Sequence, residues 1–248
     1  MKIFIDPGHG GSDRANKGPT GYVEADGNLD MALRLQKLLA PYHEVRLART
    51  TDQTVSLDQR SKMANDWGAD LMISIHSNAG PAAAAGIETF RTARNQWGTE
   101  AAAKAKEFAE AIQAEMIRKT GRKDRGVKTR SGSTGLDFYS ILRKTKAPAL
   151  IIEAGFHSNP EEERLLLTPV YRQQIAEAIA AGVAKVAGGG ETVSKTNQVD
   201  IYIKGKPIQV ASVLQDGMSL VHIRPILEAL GHTVDWIDGA VRVDEGKP

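Results

Sequence analysis

Three observations predict an α/β fold with a mainly parallel, twisted sheet flanked by helices on both faces. Short apolar runs alternate with longer amphipathic segments from the N-terminus onward, as in successive βα units. Two runs, Leu71–Ile75 and Ala149–Ile152, are almost continuously apolar, as strands covered on both sides are. With 248 residues, 41% hydrophobic and 25% charged, the chain can also bury a sizeable core.

The elements follow in order. Lys2–Asp6 reads as the first strand, and Asn28–Ala40 as a helix with Met31, Leu35, Leu38 and Leu39 on one face. His43–Leu47 is a second strand. Ser56 has the character of an N-cap for a helix reaching Trp67, ahead of the Leu71–Ile75 strand. Gly86–Phe90 is a short strand and Thr99–Thr120 a long alanine-rich helix. After the Ala149–Ile152 strand, Asn159-Pro160-Glu161 opens a helix with a capping Asn, Pro in the first turn and acid behind it. A last helix over Pro169–Ala187 closes a domain of residues 1–187. The Gly-, Ser- and Thr-rich stretch 188–198 reads as a flexible linker. Residues 199–248 then change pattern to a small ββαββ module: a hairpin Asp200–Val210 around Lys204-Gly205, a helix Leu220–Leu230, and a hairpin Thr233–Val243 turning at Asp238-Gly239.

Composition narrows the function classes. A net charge of +2 makes no case for a nucleic-acid partner. There is no cysteine, so disulfides and thiolate metal sites are excluded and any zinc must be held by nitrogen and oxygen. No apolar run approaches the roughly 18 residues of a membrane span, so membrane insertion is not expected. Lys2 leads directly into the first strand, which reads as a chain synthesised in the cytoplasm without a signal peptide, or one whose leader lies outside this sequence. Residues 118–130 carry seven Lys/Arg against one Asp, which suits a solvated loop or a contact surface for an anionic polymer.

Four polar residues stand just after apolar runs: His9 in Asp6-Pro-Gly-His-Gly-Gly11, Glu24 after Gly21-Tyr-Val, His76 after Leu71–Ile75, and Glu153 after Ala149–Ile152. In a parallel sheet the ends of strands converge on one rim, where open α/β folds place ligands. Two histidines and two carboxylates there match a catalytic zinc site with three protein ligands, an open position and a separate acid/base. Taken singly, each has an ordinary reading: a glycine-rich turn, a capping acid, a buried histidine. Glu153 is the exception, because a carboxylate against a buried strand is costly unless paired, metal-bound or catalytic. Its apolar surroundings should raise its proton affinity toward that of a general base. Asn78 is placed to hold a ligand or orient a carbonyl, and His157 to line the site.

These residues resemble the zinc-dependent N-acetylmuramoyl-L-alanine amidases of type 3. The matching blocks run in order over about residues 1–187: Asp6-Pro-Gly-His-Gly-Gly, Glu24 ahead of Asn28-Leu29, Ser74-Ile-His-Ser-Asn-Ala, Gly86-Ile-Glu88, Asp124-Arg-Gly-Val-Lys128, Leu142-Arg143, and Glu153-Ala-Gly-Phe-His-Ser-Asn-Pro. The resemblance implies a peptidoglycan hydrolase that cleaves the amide between N-acetylmuramic acid and L-alanine. His9, Glu24 and His76 would then be the zinc ligands and Glu153 the catalytic carboxylate. Asn78, Glu88, Arg143 and His157 are the candidates for substrate contact. Thr129–Asp137 is longer than the usual link in this family. Together with the missing leader, the resemblance points to a phage endolysin or a spore mother-cell lysin that meets the wall through a breached membrane. A zinc peptidase cutting within the stem peptide and a non-catalytic wall-binding protein are the alternatives. Residues 199–248 are similar to the stalk domain of copper amine oxidases, as appended to some cell-wall proteins. Their role is read as wall targeting or homodimerisation; Tyr202 and Trp236 are candidates either to stack on sugars or to fill the module's core, with the core favoured for Trp236.

Overall fold

Strand alternation sets the layers of this protein. In a computed structural model, residues 1–187 are described throughout; beyond them the description covers 197–203, 206–215, 218–221, 227, 230, 233–237 and 240–244. The chain divides into two compact units, Met1–Glu191 and Thr192–Pro248. The first contains, in order, β1 (Lys2–Pro7), α1 (Glu24–Leu39), β2 (Glu44–Leu47), α2 (Leu57–Trp67), β3 (Leu71–Asn78), β4 (Ile87–Arg91), α3 (Glu100–Thr120), β5 (Asp124–Lys128), α4 (Ser140–Lys144), β6 (Ala149–Phe156), α5 (Pro160–Leu167) and α6 (Pro169–Ala187). Its strands form one sheet in the order β2-β1-β3-β6-β4-β5.

Successive strand residues point to opposite faces, and the two buried clusters divide accordingly. Ile3 and Ile5 of β1, Leu71, Ile73 and Ile75 of β3, and Leu150 and Ile152 of β6 pack with α1, α3 and α6 through Met31, Leu35, Phe108, Ile112, Ile175 and Ile179. Their neighbours Phe4, Met72, Ala149 and Ile151 pack on the other face with Ala64 of α2 and Ile141 and Leu142 of α4. Fully burying one such Leu or Ile contributes on the order of 2 kcal/mol, so these clusters hold the sheet rigid beneath its rim. Helix α2 is fixed at its start by a capping box: Gln59 N donates to Ser56 Oγ and Ser56 N donates to Gln59 Oε1.

The sheet is mainly parallel, as expected, with one exception: β4 pairs antiparallel with β6 and carries β5, parallel to itself, with it. Three expectations need correction. Helix α1 begins at Glu24, four residues before Asn28. Val23 at its N-cap makes no side-chain cap bond and Gly27 sits near its first turn, so only the acids Glu24 and Asp26 announce the start. Strands β3 and β6 run on to Asn78 and Phe156, so His76 and Glu153 lie within strands and not beyond them. Residues 124–128, expected as part of a solvated basic loop, form the edge strand β5.

In the second unit, β7 (Asn197–Ile203) and β8 (Lys206–Gln215) pair antiparallel, β9 (Met218–Val221) pairs with β8, and β10 (Thr233–Ile237) pairs antiparallel with β11 (Ala240–Asp244). Leu220 and Val221 therefore end a strand where a helix was expected to begin. Most of the remaining span of that helix, linker residues 188–196, and the side chains of Tyr202 and Trp236 lie outside the described residues, whereas 197 and 198, expected in the linker, open β7.

Candidate active site

One end of the sheet gathers the polar residues. His76 and Glu153 are register partners between β3 and β6, and Glu153 and Glu88 are partners between β6 and β4. Register partners project from the same face, with Cβ atoms about 5 Å apart. A histidine and two carboxylates thus lie in a row across three strands. His9 reaches this row from the loop after β1, and Glu24 from the first turn of α1.

The loop carrying His9 is held from below by two buried arginines. Arg49, 1% exposed, donates to the carbonyls of Pro7, Gly8, Thr51 and Ala25. Arg60 donates to Val55 O, Pro7 O, His9 O and Asp6 Oδ1, and Asp6 Oδ2 accepts from Ser74 Oγ at 2.7 Å. Nearly every carbonyl of the turn is therefore occupied by a guanidinium. His9 itself sits at φ 60°, a left-handed conformation sparsely used by non-glycine residues and tolerated where the surroundings impose it. Gly8 is required by close approach: a Cβ there would stand 2.1 Å from the His76 ring.

Glu24 lies between the imidazoles. Its Oε1 is 3.0 Å from His76 Nδ1 and its Oε2 3.3 Å from His9 Nε2. Ser77 N donates to Oε1 at 3.1 Å, Asn16 Nδ2 to Oε2 at 2.9 Å, and Asn28 Nδ2 to Oε1 at 3.4 Å. Burial pushes the Glu24 carboxyl up, but its bonds to His76 and His9 outweigh burial and hold it well below the usual range. Burial pulls His9 down, yet Glu24 and Asp13 together raise it to about 9. One donor atom from each of His9, Glu24 and His76 lies within 4.8 Å of the others, so the three can hold a metal ion. The set fits zinc, which accepts imidazole nitrogen and carboxylate oxygen and commonly takes three protein ligands when catalytic. His9 Nδ1 lies 2.8 Å from Asp13 Oδ2, and a neutral ring donating there presents Nε2, 3.2 Å from Asn16 Nδ2, as the atom to bind an ion.

Glu153 has the opposite surroundings. Burial, reinforced by the charges of Glu24 and Glu88, raises its carboxyl well above the usual range. The residue is half-buried, and its Oε2 is buried without a hydrogen-bond partner. Beside it Glu88 is held ionised: burial pushes it up, but Lys128 at 2.6 Å and Arg125 at 2.5 Å pull it below the usual range.

The other expected contacts separate. Asn78 donates to Glu88 Oε1 at 2.8 Å and so belongs to the row. His157 is buried behind Glu24, with Nδ1 3.0 Å from Ser77 Oγ and 4.0 Å from Glu24 Oε2, and its ring is stacked on Tyr22. Arg143 is not brought to this rim. It donates to Asp137 O and Phe138 O, beside the segment that follows β4. The basic stretch 118–130 is largely neutralised: Arg118 pairs with Glu115, Lys119 with Glu177, Arg122 with Glu162, and Arg125 and Lys128 with Glu88. Sequence reasoning missed Arg49, Arg60 and Asp13. Only the closeness of Asp13 to His9 in sequence gave a signal.

Imidazole and carboxylate donors beside a carboxyl of raised proton affinity define the metal-assisted hydrolases as a class. The family model described as N-acetylmuramoyl-L-alanine amidase (Amidase_3) matches residues 3–185. The chain belongs to that family, whose members are zinc amidases acting on peptidoglycan. It is 35% identical to the N-acetylmuramoyl-L-alanine amidase CwlM of Bacillus licheniformis over 81% of this chain and 74% of that protein. It is 34% identical to the sporulation-specific N-acetylmuramoyl-L-alanine amidase of Bacillus subtilis over 82% and 72% of the respective chains. Among solved structures, the catalytic domain of CwlV, an amidase from Bacillus (Paenibacillus) polymyxa var. colistinus, matches with a TM-score of 0.66. It is 31% identical over 76% of this chain and 98% of that one. Among the described residues, no helix is long and apolar enough to cross a membrane.

Proposed function

We propose that His9, Glu24 and His76 hold the zinc of this peptidoglycan amidase, and that Glu153 carries the proton in cleavage of the bond between N-acetylmuramic acid and L-alanine. The observation that carries the assignment is the contrast on one rim: a carboxylate clasped by two imidazoles, and a second with a buried, unpartnered oxygen. When bound, zinc supplies a Lewis acid that polarises the scissile carbonyl and makes water a stronger acid at neutral pH. Glu153, its proton affinity raised by burial, accepts the proton of the attacking water and returns it to the departing amine. Asp13 holds the His9 ring, while Asn16, Asn28 and Ser77 hold the Glu24 carboxylate. Asn78 and Glu88 belong to the row and are proposed substrate contacts, whereas the burial of His157 favours a positioning role behind Glu24.

Zinc content measured beside turnover on purified peptidoglycan tests the mechanism, and a metal-free, fully active protein would overturn it. Mass spectrometry of the products tests the bond: whole stem peptides with N-terminal L-alanine are expected, and fragments cut within the stem would identify a peptidase. No clearing of susceptible walls would leave a binding protein instead.

Use in lysis is part of the same proposal. Likeness to a sporulation-specific relative supports the mother-cell setting, with phage lysis as its alternative. Residues 199–248, resembling the copper amine oxidase stalk, are proposed to target the wall, because a tethered binding unit raises local concentration at an insoluble polymer. Truncation after Ala187 should keep turnover of soluble muramyl-peptides and lose retention on intact walls. A change of sedimentation mass alone would assign the module to dimerisation.

A further inference from the structure

The end of the sheet opposite the histidines is built from two segments, 91–98 and 129–146, that together hold six Lys/Arg and one Asp. They are knitted into one surface. Asp137 accepts from the backbone of Ala93 and Arg94, Asp137 N donates to Arg94 O, Gln96 N donates to Arg143 O, and Asn95 Nδ2 donates to Thr145 O. Arg94, Arg130 and Lys146 are exposed on it. Among the described residues, its only ion pair is Lys144 with Asp58. Two aromatic rings stand out beside these cations: Trp97 is 44% exposed and Phe138 45% exposed. Each is covered by one of them, Lys146 at 5.5 Å from the Trp97 ring and Arg130 at 3.8 Å from the Phe138 ring.

This arrangement is unlike the rest of the basic surface. The cations of the neighbouring stretch 118–128 are mostly spent on carboxylates, whereas here the charge stays available and is paired with flat apolar area. Five cations without an ion pair among the described residues, beside one buried acid, form a field that gathers anions. Exposed aromatic rings set beside them give sugar rings a stacking face, since such rings combine apolar area with a defined orientation. Peptidoglycan offers both partners, sugar rings along the strand and carboxylates on its stem peptides. The surface also lies within reach of a polymer engaged at the zinc rim. Glu88 pairs with Glu153, and Arg91, three residues further along the same strand, pairs with Leu150, a separation of about 10 Å.

We propose that this rim is a second contact surface for peptidoglycan, in which sugar rings stack on Trp97 and Phe138 and stem-peptide carboxylates pair with Arg94, Arg130 and Lys146. It rests on the amidase reading for the identity of the polymer and holds the catalytic domain on its insoluble substrate between cleavages. The test compares full-length wild type with the double variant Trp97→Ala/Phe138→Ala and with Arg130→Gln/Lys146→Gln, which leaves both rings in place. Affinity is read by co-sedimentation with peptidoglycan stripped of teichoic polymers, and turnover with a soluble muramyl-tripeptide. Each variant should bind the insoluble polymer about tenfold more weakly with unchanged soluble turnover, and the Gln variant should lose much of the salt sensitivity of wild-type binding. Unchanged binding would overturn the proposal, as would an equal loss on the soluble substrate. A loss seen only on teichoic-bearing walls would overturn peptidoglycan as the occupant. Failure of wild type to cleave the muramyl-tripeptide would count against the amidase reading instead, leaving the binding comparison to stand by itself.

Discussion

Glu24 and Glu153 occupy the same rim of one sheet, yet their surroundings drive them in opposite directions. Glu24 enters from the first turn of a helix and is met by two imidazoles and three further N–H donors, so it stays ionised. Glu153 comes from a central strand and is met by burial and two like charges, so it favours its proton. Proton affinity here is set by which element delivers the side chain. A helix start and an irregular loop can bring donors to a carboxylate, whereas strand register lines up same-face neighbours whatever their charge. In the proposed mechanism the two glutamates divide the work of holding a cation and moving a proton.

The largest effect should come from removing the clasped carboxylate. Glu24→Gln is expected to lose zinc and all measurable turnover, read by metal analysis of the purified protein. Glu153→Gln should keep full zinc occupancy and lose about 10²–10⁴ in turnover on a soluble substrate, the usual contribution of a positioned acid/base. If both variants lost metal alike, the division between the two carboxylates would collapse. Asp13→Ala, which frees the His9 ring, should weaken zinc affinity by about 10–100-fold while sparing the fold.

The subtlest effects concern pH. Glu88→Gln removes one of the like charges beside Glu153 and leaves Arg125 and Lys128 without their acid. Both changes lower the proton affinity of Glu153, so the acidic limb of the rate profile should move to lower pH. A shift upward would contradict the contrast. In metal-free protein the folded pKa of His9 is raised, from 6.5 to about 9. Its contribution to stability is therefore complete below pH 6.5 and lost as pH rises toward 9. Glu24 is depressed, so its contribution is present above the ordinary carboxylate range and lost in acid. Thermal melts of metal-free protein should fall between pH 6.5 and 9, and His9→Gln should flatten that decline.

Much of this was legible in the residues. The apolar runs located β1, β3 and β6, and the four polar residues beside them converge on one rim. What escaped has physical causes. Strand ends were placed at the last apolar residue, because a strand that continues into a polar site no longer alternates with an apolar core. Helix α1 starts without a capping side chain. Strand β5 offers one apolar residue, Val127, among charges and a glycine, and the reversal of β4 is a matter of tertiary pairing. Arg49 and Arg60 act on backbone carbonyls some 40 to 50 positions away, and no local pattern records such a partnership.

The clamp made by those two arginines has a kinetic meaning. The turn bearing His9 is tied to the scaffold through its carbonyls, independently of any ion, so its shape should persist when zinc leaves. Metal exchange then requires only side-chain rotation, on a timescale far shorter than loop refolding. Chelated enzyme should regain activity as fast as zinc is supplied, without a slow recovery phase. Enzyme stripped of its ion would thus wait in a ready state.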